Sequence, residues 1–472
     1  MHAQLVVIGG GPGGYAAAFL AADLGMEVIL VDAEERLGGV CLLRGCIPSK
    51  ALLHVAKVLT EAREADQWGI HFERPIIDLD TLRRRKDKVI ETLTGGLAQL
   101  AKQRKVRHIR ARAAFEDSQT LILQPSGDSQ LEDPRLTFDH CILAVGSSPS
   151  AIPALSLKSN RVMDSTSALA LPEIPESLLV IGGGYIGLEM GTVYAELGSQ
   201  VTVIELTGGL LPGVDRDLVR PLAARLEKLF VGIHLNSKVT ALAESASAVN
   251  VTFEGPDGKK SQGFSRVLVS VGRKPNTRDI GLENTAVELN EHGYVIVDNR
   301  QRTTDPRILA IGDVTGEPML AHKASHEGKV AVESLHGGPA VFEPLAIPAV
   351  VFTDPEIAWA GLTEEQAKKQ DLHVDVIRYP WAASGRAQSL LRTEGLTKLV
   401  IDPETERILG VGLVGAGAGE LIAEGVLAIE MGATARDLSD SIHPHPTLSE
   451  TLSFAGEAFY GLATEIYRPR RP

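Results

Sequence analysis

Val6-Val7-Ile8-Gly9-Gly10-Gly11 returns as Leu179-Val180-Ile181-Gly182-Gly183-Gly184, and this recurrence decides the fold. It extends outward: Gly9, Gly11 and Gly14 match Gly182, Gly184 and Gly187. Gly25 and Gly198 each stand 16 residues after the first glycine of their copy, and Asp32 and Glu205 each stand 23 after it. Each copy reads as a β-branched strand, a glycine turn, a helix closing on Leu-Gly and a second strand (27–31, 200–204) that ends on an acid. That is a βαβ unit. Its glycines allow a tight turn, close backbone approach to a pyrophosphate and close helix–strand packing. The pyrophosphate sits at the helix N-terminus, and the acid accepts from a ribose diol. One glycine pattern is weak evidence, but two copies with correctly spaced acids are strong evidence. The anionic Glu205 would repel a 2′-phosphate, which favours NAD over NADP.

Between the copies, 48–64 and 80–102 read as helices, followed by strand-like runs that close on Cys141-Ile142-Leu143-Ala144-Val145-Gly146. After the second copy, strands are expected at 267–272 and 308–312. From 344 onward strands and helices continue without dinucleotide glycines, and 124–134 reads as a surface loop. The chain divides into 1–146, 147–273, 274–345 and 346–472, an α/β fold with two Rossmann-like dinucleotide-binding domains, a central domain and a C-terminal α+β domain. A length of 472 residues is too great for a single core. A net charge of −13 argues against nucleic-acid binding. No apolar run approaches the ~20 residues of a membrane span. Three cysteines in so long a chain point to a reducing compartment, and no basic leader precedes the first strand, so a cytoplasmic location is expected.

Cys41-Leu42-Leu43-Arg44-Gly45-Cys46 leads into Ile47-Pro48-Ser49-Lys50 and an apolar helix. Residues five apart on a regular helix have Cα atoms roughly 8–9 Å apart, whereas a disulfide needs about 4.4–6.8 Å. If the pair bonds, the segment is a distorted turn entering a helix, with Gly45 tolerating the distortion. A thiol at a helix start has a lowered pKa, and thiolate is the form that attacks disulfides. A redox pair is therefore preferred over two unrelated thiols, and over a metal site, which lacks a second Cys/His pair. Cys141, inside an apolar run, reads as core.

Gly38-Gly39-Val40 followed by this cysteine segment resembles the redox motif of the pyridine nucleotide-disulfide oxidoreductases, and the match is closest to the dihydrolipoamide-oxidising branch. The resemblance covers essentially the whole chain. It includes the first glycine fingerprint, Ala310-Ile311-Gly312-Asp313-Val314 with Pro318-Met319-Leu320-Ala321-His322-Lys323, Trp381-Ala382-Ala383-Ser384-Gly385-Arg386-Ala387, and His443-Pro444-His445-Pro446-Thr447-Leu448-Ser449-Glu450. It implies an FAD site with Gly9, Gly11, Gly14, Asp32, Gly39, Lys50, Ala113, Gly146, Asp313 and Ala321. It implies an NAD site with Gly182, Gly184, Tyr185, Ile186, Gly187, Glu205, Val239 and Gly272.

Cys41 would exchange with substrate, and Cys46 would face the flavin beside Lys50, which pairs with Glu189. His445, oriented by Glu450, would be the base, with His443 as a supporting residue. The family implies a homodimer in which the histidine comes from the partner subunit. The implied reaction is oxidation of protein-bound dihydrolipoamide with NAD+. Its partners would be the lipoyl domains and acyltransferase core of 2-oxo acid dehydrogenase or glycine cleavage complexes. A glutathione- or mercuric-reductase-like activity is the rival on the same scaffold; Glu205 opposes its NADPH preference. A docking scaffold without chemistry is the other alternative, opposed by the complete set of reacting residues. Leu43 and Arg44 replace the usual asparagine and valine, Asp32 replaces glutamate, and His-Pro-His replaces His-Ala-His. Arg44 places a cation where it is expected to alter a thiol or the flavin environment.

Overall fold

The structure is a computed structural model that describes residues 1–150 and 152–467. The first glycine copy is β1 (His2–Ile8), α1 (Pro12–Asp23) and β2 (Val28–Asp32), followed by helices α2 (Gly39–Arg44), α3 (Cys46–Glu64) and α4 (Leu79–Gln103), then strands β3 (Arg107–Asp117), β4 (Thr120–Pro125) and β5 (Arg135–Leu143). β1 lies parallel to β2 and to β5, and β2 parallel to β3; the antiparallel pairings of β4 with β3 and β5 close the far end. Cys141 faces β1 within this sheet and is fully buried, and 126–134 is the loop between β4 and β5.

A short strand, β6 (Ser147–Pro149), leads to the second unit: β7 (Val162–Met163), α5 (Ser165–Leu169), β8 (Ser177–Ile181), α6 (Tyr185–Leu197), β9 (Gln200–Ile204), α7 (Arg216–Leu229) and β10 (Gly232–His234). An antiparallel meander of β11 (Lys238–Glu244), β12 (Val249–Gly255) and β13 (Gly258–Phe264) follows, then β14 (Arg266–Val269). The second sheet runs β10-β9-β8-β14-β7 and is parallel throughout. Its order repeats that of β3-β2-β1-β5 plus β16 (Ile308–Ala310) in the first sheet, so the duplication seen in sequence is a duplication of topology. β15 (Arg273–Pro275) pairs antiparallel with β6, and these two segments are the paired crossings between the units.

Residues beyond β15 return to the first unit. β16 joins β5, and α8 (Ala321–Leu335) packs on α1 so closely that a Cβ on Gly13 would lie 2.9 Å from the Ala324 carbonyl oxygen. The last region is an antiparallel sheet of order β17-β18-β21-β20-β19. It is built from β17 (Ala349–Val351), β18 (Glu356–Gly361), α9 (Glu364–Lys369), β19 (Asp375–Pro380), α10 (Gly385–Ser389), β20 (Leu396–Ile401) and β21 (Ile408–Gly415), and ends in α11 (Ala418–Glu430), α12 (Ala435–Asp440) and α13 (Glu450–Phe459).

Two features join the regions. Leu52 and Leu53 of α3 share one buried cluster with Leu188 and Val193 of α6 and with Val351 and Val414 of the last sheet, so the helix that begins at Cys46 is held from two sides. Lys398 on β20, fully buried, donates to Asp215 (2.7 Å), Asp217 (3.0 Å) and Glu364 (2.7 Å). Asp215 also accepts from the backbone N–H groups of Glu364 and Glu365 at the start of α9. The three carboxylates are close enough to hold a metal ion, but the cations among them are the Lys398 ammonium and, on Asp217 and Glu364, the Arg378 guanidinium.

By length and composition Gly39–Trp68 is apolar enough to cross a membrane, which corrects the expectation that no segment approaches a span. The backbone breaks at Gly45, however, and Leu52 and Leu53 are needed in the core.

Candidate functional site

The two glycine turns adopt the same geometry because the same sterics act on both. Gly9 and Gly182 have φ of +105° and +106°, a region that L side chains rarely adopt. Gly14 and Gly187 are fixed by packing: a Cβ would meet the carbonyl oxygen of Gly9 at 1.8 Å and that of Gly182 at 2.2 Å. Gly11 and Gly184 have neither constraint. Their φ values are −72° and −78°, and an added Cβ would meet nothing nearer than 4.0 Å. Nothing in the protein itself requires glycine there; the open backbone is what close approach of a diphosphate requires.

The acids are pinned in matching ways. Asp32 accepts from the N–H groups of Gly10 and Glu34, and Glu205 from those of Gly183 (2.6 Å) and Thr207 (2.7 Å). Glu205 Oε1 also accepts from the Thr207 hydroxyl at 2.7 Å, so a second lone pair for a ribose hydroxyl remains on Glu205 Oε2 and on both Asp32 oxygens.

A cavity of about 1050 Å³ runs from Asp32 past Gly9, Gly11 and Gly39 to Cys41, Cys46 and Lys50. Ala113, Gly146, Asp313 and Ala321 also line it, as do Tyr185, Ile186 and Glu189 from the second unit. These residues fit a flavin dinucleotide: a diol acceptor, bare backbone for the diphosphate, and polar groups farther along. Gly182, Gly184, Gly187, Glu205, Val239 and Gly272 do not line this cavity. Val239 is buried in the apolar cluster with Leu179, Ile181 and Ile204, so its side chain is unavailable to a nucleotide and only its backbone remains.

Cys41 lies within α2 and Cys46 is the first residue of α3, with Gly45 between the two helices at φ −143° and ψ −115°. The distortion expected from disulfide geometry is thus a break at one residue. A Cβ on Gly45 would lie 2.8 Å from the Val40 carbonyl oxygen, so the close approach of α2 excludes any side chain. Both cysteines are free thiols here, hydrogen-bonded to each other. Cys46 has accessible surface, but that surface is cavity wall rather than the outside of the molecule.

The hydrogen bond with Cys41 does most to favour the Cys46 thiolate; burial opposes it and Lys50 assists, which brings the Cys46 thiol down to about 7. The same hydrogen bond, with burial, pushes Cys41 well above the ordinary thiol range. Lys50 Nζ binds both oxygens of Glu189 (2.8 and 3.1 Å) and sits 4.4 Å from the centroid of the Phe352 ring. Glu189 in turn accepts from the Phe352 N–H at 3.0 Å, so the last region braces this pair.

Arg44 lines the cavity, but the expected effect on a thiol is not seen. It is not among the charged groups acting on either thiol; its guanidinium pairs with Glu34 at 2.6 Å. Sequence reasoning also missed Ser147 and Arg273. The Ser147 hydroxyl donates to Asp313 at 2.5 Å and accepts from Arg273 Nε at 2.7 Å, which ties the paired crossings to Asp313. The available signal was Val271-Gly272-Arg273-Lys274-Pro275-Asn276, a polar run closing a buried strand.

His445 Nδ1 lies 2.8 Å from Glu450 Oε1, and Glu450 Oε2 accepts from the Thr447 N–H at 2.7 Å, which leaves Nε2 free of this pairing. His443 instead pairs with Glu424 at 2.6 Å. The His445 side chain is 77% exposed, and neither it nor Glu450 lines the cavity of its own chain.

The family described as pyridine nucleotide-disulphide oxidoreductase matches residues 3–328, and that family's dimerisation domain matches residues 347–455. The chain is 46% identical to the dihydrolipoyl dehydrogenase of Haemophilus influenzae over 463 residues, 98% of this chain and 96% of the other. It is 43% identical to that of Bacillus subtilis over 469 residues, 99% and 98%. Among solved structures, LpdA from Mycobacterium tuberculosis aligns with a TM-score of 0.89 at 27% identity, covering 96% of this chain and 99% of its own. The HOCl-induced flavoprotein disulfide reductase RclA from Escherichia coli, as its Cu(II) complex, aligns at 0.86 and 28%, covering 97% and 99%. With duplicated nucleotide folds, a thiol pair at a helix break and full-length similarity of this kind, the chain belongs to the pyridine nucleotide-disulphide oxidoreductase family.

Proposed function

We propose that the protein catalyses the dihydrolipoyl dehydrogenase reaction, oxidising protein-bound dihydrolipoamide to lipoamide and reducing NAD+ to NADH. The observation that carries this reading is the asymmetric thiol pair beside Lys50 and Glu189, in a cavity that also presents the residues of a dinucleotide site. Gly9, Gly11, Asp32, Asp313 and Ala321 would hold FAD, and Gly184, Tyr185 and Glu205 would hold NAD. When bound, FAD supplies the two-electron chemistry that links a dithiol to a nicotinamide.

The chain's own residues do the rest. Starting from the disulfide form, His445 Nε2 takes the proton of one substrate thiol while Glu450 holds Nδ1. The substrate sulfur bonds to Cys41, the Cys41–Cys46 bond breaks, and Cys46 leaves as a thiolate stabilised by Lys50. The second substrate thiol then displaces Cys41 and its proton passes to the leaving Cys41 sulfur, which gives lipoamide and the dithiol form described above. Because His445 is exposed and does not line its own chain's cavity, a homodimer would complete each site with the partner's histidine. The partners proposed are lipoyl domains and the acyltransferase core of 2-oxo acid dehydrogenase or glycine cleavage complexes.

Cys46→Ser is expected to lower dihydrolipoamide-dependent NADH formation by more than a thousandfold. Full activity in that variant, or faster turnover of glutathione disulfide with NADPH by the unaltered protein, would overturn the reading.

A further inference from the structure

We propose that Arg44 and Glu34 form a latch over the adenosine half of the cofactor cleft, an ion pair that slows release of the bound dinucleotide. The proposal rests on the reading above that the cleft holds FAD. Both residues line the cavity next to Asp32, and their side chains meet at 2.6 Å. Each arm is anchored. The Glu34 N–H donates to Asp32 Oδ1 at 2.7 Å, so the loop bearing Glu34 is fixed by the carboxylate assigned to the ribose diol. α2 is fixed at its other end, where Gly38 N–H donates to the Gly10 carbonyl at 2.8 Å and Gly39 packs against Gly11 too closely for a Cβ (2.5 Å). The pair therefore links the helix that carries Cys41 to the loop after β2.

Side-chain exposures of 35% and 39% leave the pair reachable from solvent, so it can open. A guanidinium has five N–H donors, and one that holds Glu34 through a single nitrogen can also donate to a diphosphate. The chemical class recognised is an adenosine diphosphate moiety, with a vicinal diol on Asp32 and a diphosphate over Gly11. Arg44 is free for this task because the charged groups facing Cys46 are Lys50 and Glu189.

The test uses the purified holoenzyme, with flavin release followed as flavin passing a filter after dilution at low ionic strength. Arg44→Leu and Glu34→Gln should each speed release about two- to fivefold, the range of a partly exposed ion pair. The double variant should be no faster than the faster single variant, and Arg44→Lys should retain part of the retention. Added salt should bring the unaltered protein toward the variants. The pH midpoint of Cys46 alkylation should be the same in Arg44→Leu as in the unaltered protein. Unchanged release in both single variants, multiplying effects in the double, or a displaced Cys46 midpoint would each overturn the latch while leaving the functional reading intact. A purified protein without flavin would overturn the functional reading and the latch with it.

Discussion

Cys41 and Cys46 carry the same functional group, and their surroundings give them different chemistry. One hydrogen bond places the shared proton on Cys41, and the Lys50 ammonium faces the Cys46 sulfur. Alkylation of the reduced protein with iodoacetamide should therefore rise through a midpoint near pH 7 at Cys46. Below that midpoint the thiol is protonated and unreactive; above it the thiolate reacts. Lys50→Met should move the midpoint upward toward the ordinary thiol range, and Cys141, fully buried, should not react until the protein unfolds. Much of this scale is legible in the sequence. The two acids stand at a fixed distance from their glycines because a βαβ unit has a fixed length. The Lys50–Glu189 pairing was legible only through family resemblance, since 139 residues separate the partners. The partner of Arg44 was not legible, because its contact depends on how α2 folds back toward the loop after β2.

At the scale of elements, the decisive feature is the interruption at Gly45. The need to bring two sulfurs within bonding range showed that regular helix could not run through the pair, and the structure places the interruption at the residue with no side chain. Gly45→Ala would push a methyl group to 2.8 Å from the Val40 carbonyl oxygen and 3.2 Å from Cys41 Cα. We expect a loss of about 1–3 kcal/mol, the usual cost of overpacking, measured by denaturant unfolding. We also expect slower re-formation of the disulfide, measured by thiol titration after oxidation. Helix and strand bounds read from sequence agree with the structure to within a few residues because hydrophobic periodicity and glycine punctuation are local signals. The α1–α8 contact is not local: it pairs Gly13 with Ala324, and only the return of the chain to the first sheet brings them together.

At the scale of the whole molecule, the second unit and the last region are joined through Lys398. Its ammonium serves three carboxylates, so Lys398→Met would leave Asp215, Asp217 and Glu364 close together without it. Breaking a buried pair from one side costs about 3–5 kcal/mol, and a thermal melt should show it. Burial opposes ionisation of Glu364, but hydrogen bonds from Lys398 and Lys368 prevail and hold its carboxyl down at about 2. A carboxyl lowered on folding stabilises the protein above its unfolded value and loses that contribution as pH falls toward the folded one. Stability should therefore drop between roughly pH 4.5 and 2, and Glu364→Gln should flatten that part of the pH profile. None of this was legible, since only tertiary structure brings together charges spread from 215 to 398. The proposed completion of each site by the partner's His445 has a consequence for inheritance. Chains carrying Cys46→Ser and chains carrying His445→Gln would each be inactive alone. Co-expressed, they would form hybrids in which one centre has both defects and the other has none. Two null alleles would then complement each other, with recovered activity scaling with the fraction of hybrid molecules.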